Sequence, residues 1–337
     1  MTTFADMVMQ FGGSPVGGLP YSWLRGARGK TLFVAPYRTS SGTNRNGASD
    51  NNSGTFNRPL KTISAAYDKC TGSIGEVIYV MGGSNTAADI TDDLSATLTW
   101  SKNAVHLVGL TTPSMVSQRA RIAQLSTATA VSPLIDVTGN NCTFANLQVF
   151  QGVADATSLI NIRVTGQRNY FDNVHFAGVG DATMSAAGCC SLSLNGGAEN
   201  VFRHCVFGLD TATMDADGRN VICDTAATRN LFEDCLFQAY ISATGAAHVE
   251  IADGTGIDRW LWFRNCQFIS KSTNKTVDMA EVFVIPAGIS QGAIVLQGCS
   301  AMDDGGAPVW TAGTEGIIWA DMVAPAASAA GGLMTNL

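Results

Sequence analysis

The chain has 337 residues, of which 46% are hydrophobic and only 14% are charged, and its formal net charge is -7. Soluble domains usually carry about 25% charged residues, and the surfaces of helices are normally rich in Lys, Glu, Gln and Arg. The composition therefore argues against a helical bundle and against a disordered chain, and the lack of a basic patch argues against nucleic-acid binding. It predicts an all-β protein with many turns.

Residues 1–30 are predicted to form an extended arm. They are too rich in Gly and Pro for regular structure, yet they carry apolar side chains that a solvated linker does not need. We expect the arm to dock on a partner surface; the alternative is that it lies along the protein's own coils. The predicted partner-binding residues are Met7, Phe11, Pro15, Val16, Leu19, Tyr21 and Trp23.

The same N-terminus lacks the basic start and unbroken apolar core of a secretory signal. The apolar stretches are too short to cross a membrane. Nine cysteines are spread along the chain without a C-x-x-C, and there are only four histidines. We therefore expect reduced, buried thiols in a protein made in a cytoplasm, and neither a metal site nor a cofactor.

Residues 31–83 are predicted to cap the first coil of a solenoid, whose sheet edge must be hidden. Residues 32–36 look like a strand that ends at a proline. Residues 58–67 form an amphipathic pattern that predicts a short helix with Ile63, Ala66 and Tyr67 on one face. A full strand is expected at residues 76–83.

Six segments within residues 84–302 repeat one pattern, at intervals of 27 to 33 residues. A first aromatic is followed by a turn residue, then by Cys, Val or Leu, then by a second aromatic. The first unit has Val149 at the second aromatic position, and the sixth unit keeps the thiol but loses both aromatics. The first positions are Phe144, Phe171, Phe202, Phe232, Phe263 and Leu296; the turn positions are Asn146, Asn173, His204, Asp234, Asn265 and Gly298; the thiols after the turn are Cys205, Cys235, Cys266 and Cys299.

The turn residues explain how both aromatics can face inward. Asn, His, Asp and Gly tolerate a left-handed backbone, and a turn there resets the alternation of side chains along the strand. A short strand precedes each unit, so we predict stacked coils of a parallel β-helix with the Phe and Cys columns in its core. Strands at residues 105–108 and 121–125 suggest one or two further coils. A β-propeller is the alternative, but its blades are longer and carry four strands each.

The cap resembles that of the pectin-lyase-like superfamily of right-handed parallel β-helices, which includes phage virion proteins and polysaccharide-active proteins. The resemblance rests on Asp50-Asn51-Asn52-Ser53-Gly54-Thr55, Pro59-Leu60-Lys61-Thr62-Ile63, Ala65-Ala66 and Val77-Ile78-Tyr79-Val80. It implies a right-handed coil over about residues 31–302, followed by a C-terminal cap or tail at 303–337 that closes the last coil or packs on a neighbouring subunit. The resemblance is specific for fold and not for function, because such folds host both enzymes and inert structural proteins.

Pectate lyases of that superfamily hold calcium with stacked carboxylates, and its hydrolases use paired aspartates. The local acidic clusters here are Asp92-Asp93, Asp303-Asp304 and Asp215 with Asp217, and they indicate exposed turns rather than such a site.

Side chains between the two Phe columns are predicted to face outward. Among them Asp172, Arg203, Glu233 and Arg264 alternate in sign on successive coils, which is typical of a stabilising charge column. A catalytic Glu233 beside Arg203 or Arg264 is the alternative. His175 and His204 could form a metal pair, but no third ligand is evident. The sequence thus predicts no catalytic residue.

These observations favour a structural virion protein of a tailed bacteriophage. We expect a capsid decoration (cement) protein, made in the host cytoplasm, that docks on the outer capsid surface through the major capsid protein or another virion protein. A homotrimer is expected, since a capsid offers three-fold positions; no nucleic acid or membrane is involved. The alternative is a tailspike-like protein that binds or degrades surface polysaccharide. A third hypothesis, a bacterial polysaccharide lyase, would require an export signal.

Overall fold

A computed structural model of the protein describes residues 29–35, 47–82, 92–289, 292–306, 308–311 and 318–320. Residues 1–28 of the predicted arm and most of residues 303–337 lie outside these ranges. Within them the chain is almost entirely β-structure, with one α-helix, α1 (Ile63–Lys69). This helix is too short to cross a membrane, and the described part of the chain holds no other candidate.

The strands run in chain order as follows: β1 (Thr31–Val34), β2 (Glu76–Met81), β3 (Asp92–Leu94), β4 (Leu98–Trp100), β5 (Val105–Leu110), β6 (Arg121–Gln124), β7 (Ile135–Val137), β8 (Thr143–Phe150), β9 (Ile160–Val164), β10 (Tyr170–Ala177), β11 (Cys190–Asn195), β12 (Val201–Arg203), β13 (Val206–Phe207), β14 (Thr213–Met214), β15 (Arg219–Asp224), β16 (Leu231–Glu233), β17 (Leu236–Ile241), β18 (Ala247–Ile251), β19 (Trp260–Arg264), β20 (Gln267–Ser272), β21 (Phe283–Val284), β22 (Ala293–Gln297), β23 (Ser300–Asp303) and β24 (Ile318–Ala320).

The strands form two long parallel sheets. The smaller sheet contains the short strand that precedes each repeat unit, in the order β21-β18-β15-β11-β9-β7-β4. The larger sheet contains the repeat units themselves, and β10 and β12 show its register, with Phe171 opposite Phe202. Each strand therefore pairs with its equivalent one coil away. The chain is a right-handed parallel β-helix with an N-terminal cap helix, and this part of the fold prediction is confirmed.

The bend inside each repeat unit lies at the predicted turn residue. The backbone φ angle there is positive in all six units: Asn146 (54°), Asn173 (52°), His204 (51°), Asp234 (53°), Asn265 (52°) and Gly298 (64°). Around His204 the bend leaves Phe202, Cys205 and Phe207 all at 0% exposure. The left-handed turn does reset the alternation, as the sequence predicted.

The buried rings form two stacks along the coil axis. In the first stack, consecutive centroids are 4.9, 4.8, 4.7 and 4.7 Å apart across Phe144, Phe171, Phe202, Phe232 and Phe263. The second stack contains Phe176, Phe207, Phe237 and Phe268 at 4.7, 4.8 and 4.5 Å. These spacings match the distance between neighbouring strands, so each coil adds one ring to each stack.

A second column of polar side chains was not predicted. Asn169, Asn200 and Asn230 are buried at the entry to the large sheet. The backbone N–H of Asn169 donates to Asn200 Oδ1 at 2.9 Å, and that of Asn200 donates to Asn230 Oδ1 at 2.9 Å. Their Nδ2 groups donate to glycine carbonyls one coil back. This asparagine ladder satisfies buried backbone groups that the turn leaves without sheet partners.

The cap helix closes the first coil. Asp50 Oδ1 accepts from the backbone N–H groups of Lys61 and Thr62, and the Thr62 side chain caps α1 by accepting from Ala65. Ile63, Ala66 and Tyr67 are buried, as predicted, and the Tyr67 ring lies 4.3 Å from that of Trp100. The helix thus covers the aromatic core where the stack begins.

The strands at residues 105–108 and 121–125 belong to one coil rather than two. Both β5 and β6 pair with β8, which matches Leu107 to Phe144 and Ile122 to Val149. Residues 111–120 between them leave the coil and return. This excursion lies against the next coils and determines which side chains reach solvent there.

Candidate functional site

A groove of about 790 Å³ runs along the outside of the bend, beside the turn residues. The polar wall of the groove is made by the turn column and its neighbours, and a strip of apolar side chains lies beside it. The excursion between β5 and β6 supplies one end. The lining residues are Pro113, Ser114, Met115, Asp172, Asn173, His204, Cys205, Val206, Asp234, Cys235, Leu236, Asn265, Gln267 and Ile269.

The turn column is a hydrogen-bonded ladder, as the sequence suggested. Asn173 Nδ2 donates to Asn146 Oδ1 at 3.0 Å, and Asn265 Nδ2 donates to Asp234 Oδ1 at 3.1 Å. His204 is the one member with a titratable ring. It and the Asp234 carboxylate are the ionisable members of a column whose other residues are asparagines and a glycine.

His204 lies between two carboxylates. Its Nδ1 is 3.0 Å from Oδ1 of Asp172, and its Nε2 is 3.8 Å from Oδ2 of Asp234. The Asp172 side chain is only 2% exposed, whereas that of His204 is 50% exposed. Burial raises the pKa of Asp172, and the hydrogen bond from His204 lowers it. A buried carboxylate that holds one ring nitrogen of a half-exposed histidine can orient the other nitrogen as a proton acceptor.

The side chains on β8 and β10 that the sequence predicted to face outward are buried instead. Gln148, Asp172 and His175 are all buried at 3% exposure or less. The excursion covers this region, since the Ser117 N–H donates to His175 Nδ1 at 3.1 Å and Gln118 Nε2 donates to Asn173 Oδ1 at 2.9 Å. Sequence alternation alone could not show that a distant loop lies over these strands.

The two histidines considered as a metal pair have separate partners. His175 Nε2 donates to the Gly208 carbonyl at 2.9 Å, which leaves its Nδ1 as an acceptor. His204 faces Asp172 instead. In the part of the chain that the structure describes, no cluster of three or more His, Cys, Asp or Glu side chains could hold a metal ion.

The thiols beside the groove are core groups. All nine cysteines are free and buried. The Sγ atoms of Cys205 and Cys235 donate to carbonyls of the preceding coil at 3.5 and 3.4 Å. Burial raises the pKa of Cys235 well above its ordinary value, so its thiolate is disfavoured and it is a poor nucleophile.

Three members of the predicted charge column form an ion-pair chain, whereas Asp172 is buried and pairs with His204 instead. Glu233 binds Arg203 at 3.4 Å and Arg264 at 2.5 Å. Both of its oxygens are engaged by guanidinium groups on the neighbouring coils, which disfavours the catalytic alternative for Glu233.

The acidic clusters have local partners. Asp303 accepts from the Met279 and Gly305 N–H groups, and Asp304 accepts from that of Ser272. Asp215 lies in a turn, where its carboxylate accepts from the Ala216 N–H. Asp92 and Asp93 lie in β3 opposite β6. The predicted arm residues lie outside the described part of the chain.

Comparison with solved structures finds other β-helix proteins at low similarity. A pectin methylesterase from Aspergillus niger matches with 15% identity and a TM-score of 0.47 over 85% of this chain and 91% of its own. Pectate lyase Pel9A matches with 15% identity and a TM-score of 0.43 over 81% and 61%. Geobacillus virus E2 ORF18 matches with 13% identity and a TM-score of 0.35 over 72% and 43%. No protein-family model matches the sequence, and neither does any curated protein.

Proposed function

We propose that the protein is a structural component of a tailed-bacteriophage virion, a decoration protein that docks on the outer capsid surface and stabilises the head. The observation that carries the proposal is a continuous aromatic core. It extends from Tyr67 and Trp100 through the first Phe stack to Phe283 and Trp310. Such a core makes a rigid scaffold, and nine reduced thiols suit assembly in a bacterial cytoplasm. The arm would anchor each copy of a homotrimer to the major capsid protein or another virion protein.

Capsids that lack the protein provide the test. We expect the purified full chain to occupy symmetric sites on such capsids, as seen by electron cryomicroscopy, and to raise their melting temperature. Removing residues 1–25 should reduce occupancy by at least about tenfold, because the apolar anchors are lost. A chain with Thr2→Ala and Thr3→Ala keeps those anchors and serves as the control. Full occupancy without the arm would contradict its role, and an empty capsid with the full chain would contradict the proposal.

The groove favours a second candidate function, binding or cleavage of a surface polysaccharide. Asp172 holds Nδ1 of His204, so Nε2 can accept a proton from a water or a sugar hydroxyl in the groove, and the buried carboxylate would stabilise the imidazolium that forms. Leu236 and Ile269, which are half-buried, offer apolar contact to the C–H face of a sugar. This is the tailspike-like alternative, with the polar turn column as its binding wall.

His204→Gln tests this candidate directly. If the groove cleaves host-surface polysaccharide, we expect the substitution to lower the rate of depolymerisation by roughly 10²–10⁴-fold, because the proton acceptor is lost. Release of reducing ends is the measurement. Asp258→Asn changes an exposed carboxylate outside the groove lining and should leave the rate unchanged. Equal rates in wild type and His204→Gln would rule the histidine out of catalysis.

A further inference from the structure

The outer face of the large sheet carries a column of apolar side chains. In register, one residue per coil follows the next from β10 to β22. Its members are Tyr170, Val201, Leu231, Trp262 and Val295. Trp262 is 38% exposed, and Trp260, two residues earlier on the same strand, is 48% exposed. Two neighbouring exposed tryptophans on a flat sheet are typical of a surface that another molecule covers.

Charged residues flank this column on both sides. Where the strands begin, Glu199 lies between Arg168 at 2.7 Å and Arg229 at 3.1 Å; we call these three the entry column. Where the strands reach the bend, Glu233 lies between Arg203 and Arg264, and we call these three the exit column. Every one of these arginines has a side chain at least 38% exposed, so each can meet a further partner.

The signs of the two columns are opposite on two successive coils. The coil with Glu199 in the entry column carries Arg203 in the exit column, and the next coil carries Arg229 and Glu233. On these two coils the positive and negative charges balance, and the order of the signs is reversed between the entry column and the exit column. When two copies face each other so that the entry column of one meets the exit column of the other, opposite charges therefore come together.

We propose that this face binds a second copy of the same chain, packed side by side with parallel coil axes. When the copies are related by a rotation about an axis parallel to the coil axis, neither copy is shifted along that axis. The same coil of each copy therefore lies at the same height. The entry column of one copy then lies against the exit column of the other. Glu199 of one copy faces Arg203 of the partner, Arg229 faces Glu233, and the apolar columns meet between them. In an antiparallel arrangement the entry column would lie against the partner's entry column, and the exit column against the partner's exit column.

This inference does not rest on the virion role, because self-association can be measured without capsids. We expect sedimentation equilibrium and native mass spectrometry of the full chain to show a dimer or trimer. Trp262→Ser removes the largest side chain of the apolar column and should weaken association by about tenfold or more. Arg58→Glu changes an exposed charge in the cap and should leave the association constant unchanged.

A charge exchange tests the parallel arrangement itself. Glu199→Arg or Arg203→Glu alone places like charges against the partner and should weaken association by about tenfold. The double variant makes the entry column wholly basic and leaves Arg264 as the one basic member of the exit column. Residues 199 and 203 of parallel copies then attract again, and the association constant should return to the wild-type value. Circular dichroism melting confirms that each variant is folded. A monomeric wild type, unaffected single variants, or a double variant weaker than either single one would overturn the proposal.

Discussion

Phe232→Ala is expected to lower the free energy of unfolding by about 3–5 kcal/mol, the usual cost of truncating a fully buried phenylalanine. The ring is 0% exposed and lies 4.7 Å from both Phe202 and Phe263, centroid to centroid. Its loss leaves a cavity that the neighbouring coils cannot close, because their own rings are held by the strand spacing of the sheet. Urea unfolding followed by circular dichroism measures the change.

Phe56→Ala is the matched control. This ring is 54% exposed and makes one edge contact with Phe33 in the cap. Its removal should cost less than about 1 kcal/mol, since little apolar area is lost. If both variants lost the same stability, the stacked core would not be the main source of cohesion.

Acidification below pH 6.5 is expected to destabilise the fold steeply. Burial lowers the pKa of His106 and His175 to about 4 and that of His248 to about 3. The folded state keeps these rings neutral, whereas the unfolded chain protonates them near pH 6.5. Their contribution is therefore fully present above pH 6.5 and is lost as the pH falls towards 4. For His175 alone the loss is about 3 kcal/mol across that window.

Melting temperatures between pH 7 and pH 4 provide the measurement. His175→Gln should reduce the slope of stability against pH by about one third, because one of three proton acceptors is removed. The raised pKa of Asp172 acts in the opposite direction, since a carboxyl with a raised pKa favours the folded state at low pH. A stability that stays flat from pH 7 to pH 4.5 would contradict buried, neutral histidines.

The repeat made the coils predictable because each bend requires a residue that tolerates positive φ. Asn146, Asp234 and Gly298 are such residues, and their spacing gave the period and the inward columns. The asparagine ladder was not predicted, because Asn169, Asn200 and Asn230 occur once per coil among varied neighbours. A Gly-x-x-Asn spacing before the first Phe, present at Gly166 and Gly197, is the signal that could have shown it.

The groove could be predicted only in part. His204 was recognised as a turn residue, but its pairing with Asp172 depends on stacking across 32 positions of sequence. The burial of Asp172 and His175 depends on an excursion that starts more than fifty residues earlier. No local pattern encodes such a contact, because it is set by where the excursion returns to the sheet.

The constant register of the Phe columns has a consequence for how this molecule can change size. Phe202 lies opposite Phe171 on one side and Phe232 on the other, and the same match recurs on each coil. Loss or duplication of one whole repeat would therefore bring equivalent residues together again. The contacts between the coils at the junction would be the same as before. The length of the protein can evolve in discrete steps of about 4.8 Å, one coil at a time, while both of its ends stay the same.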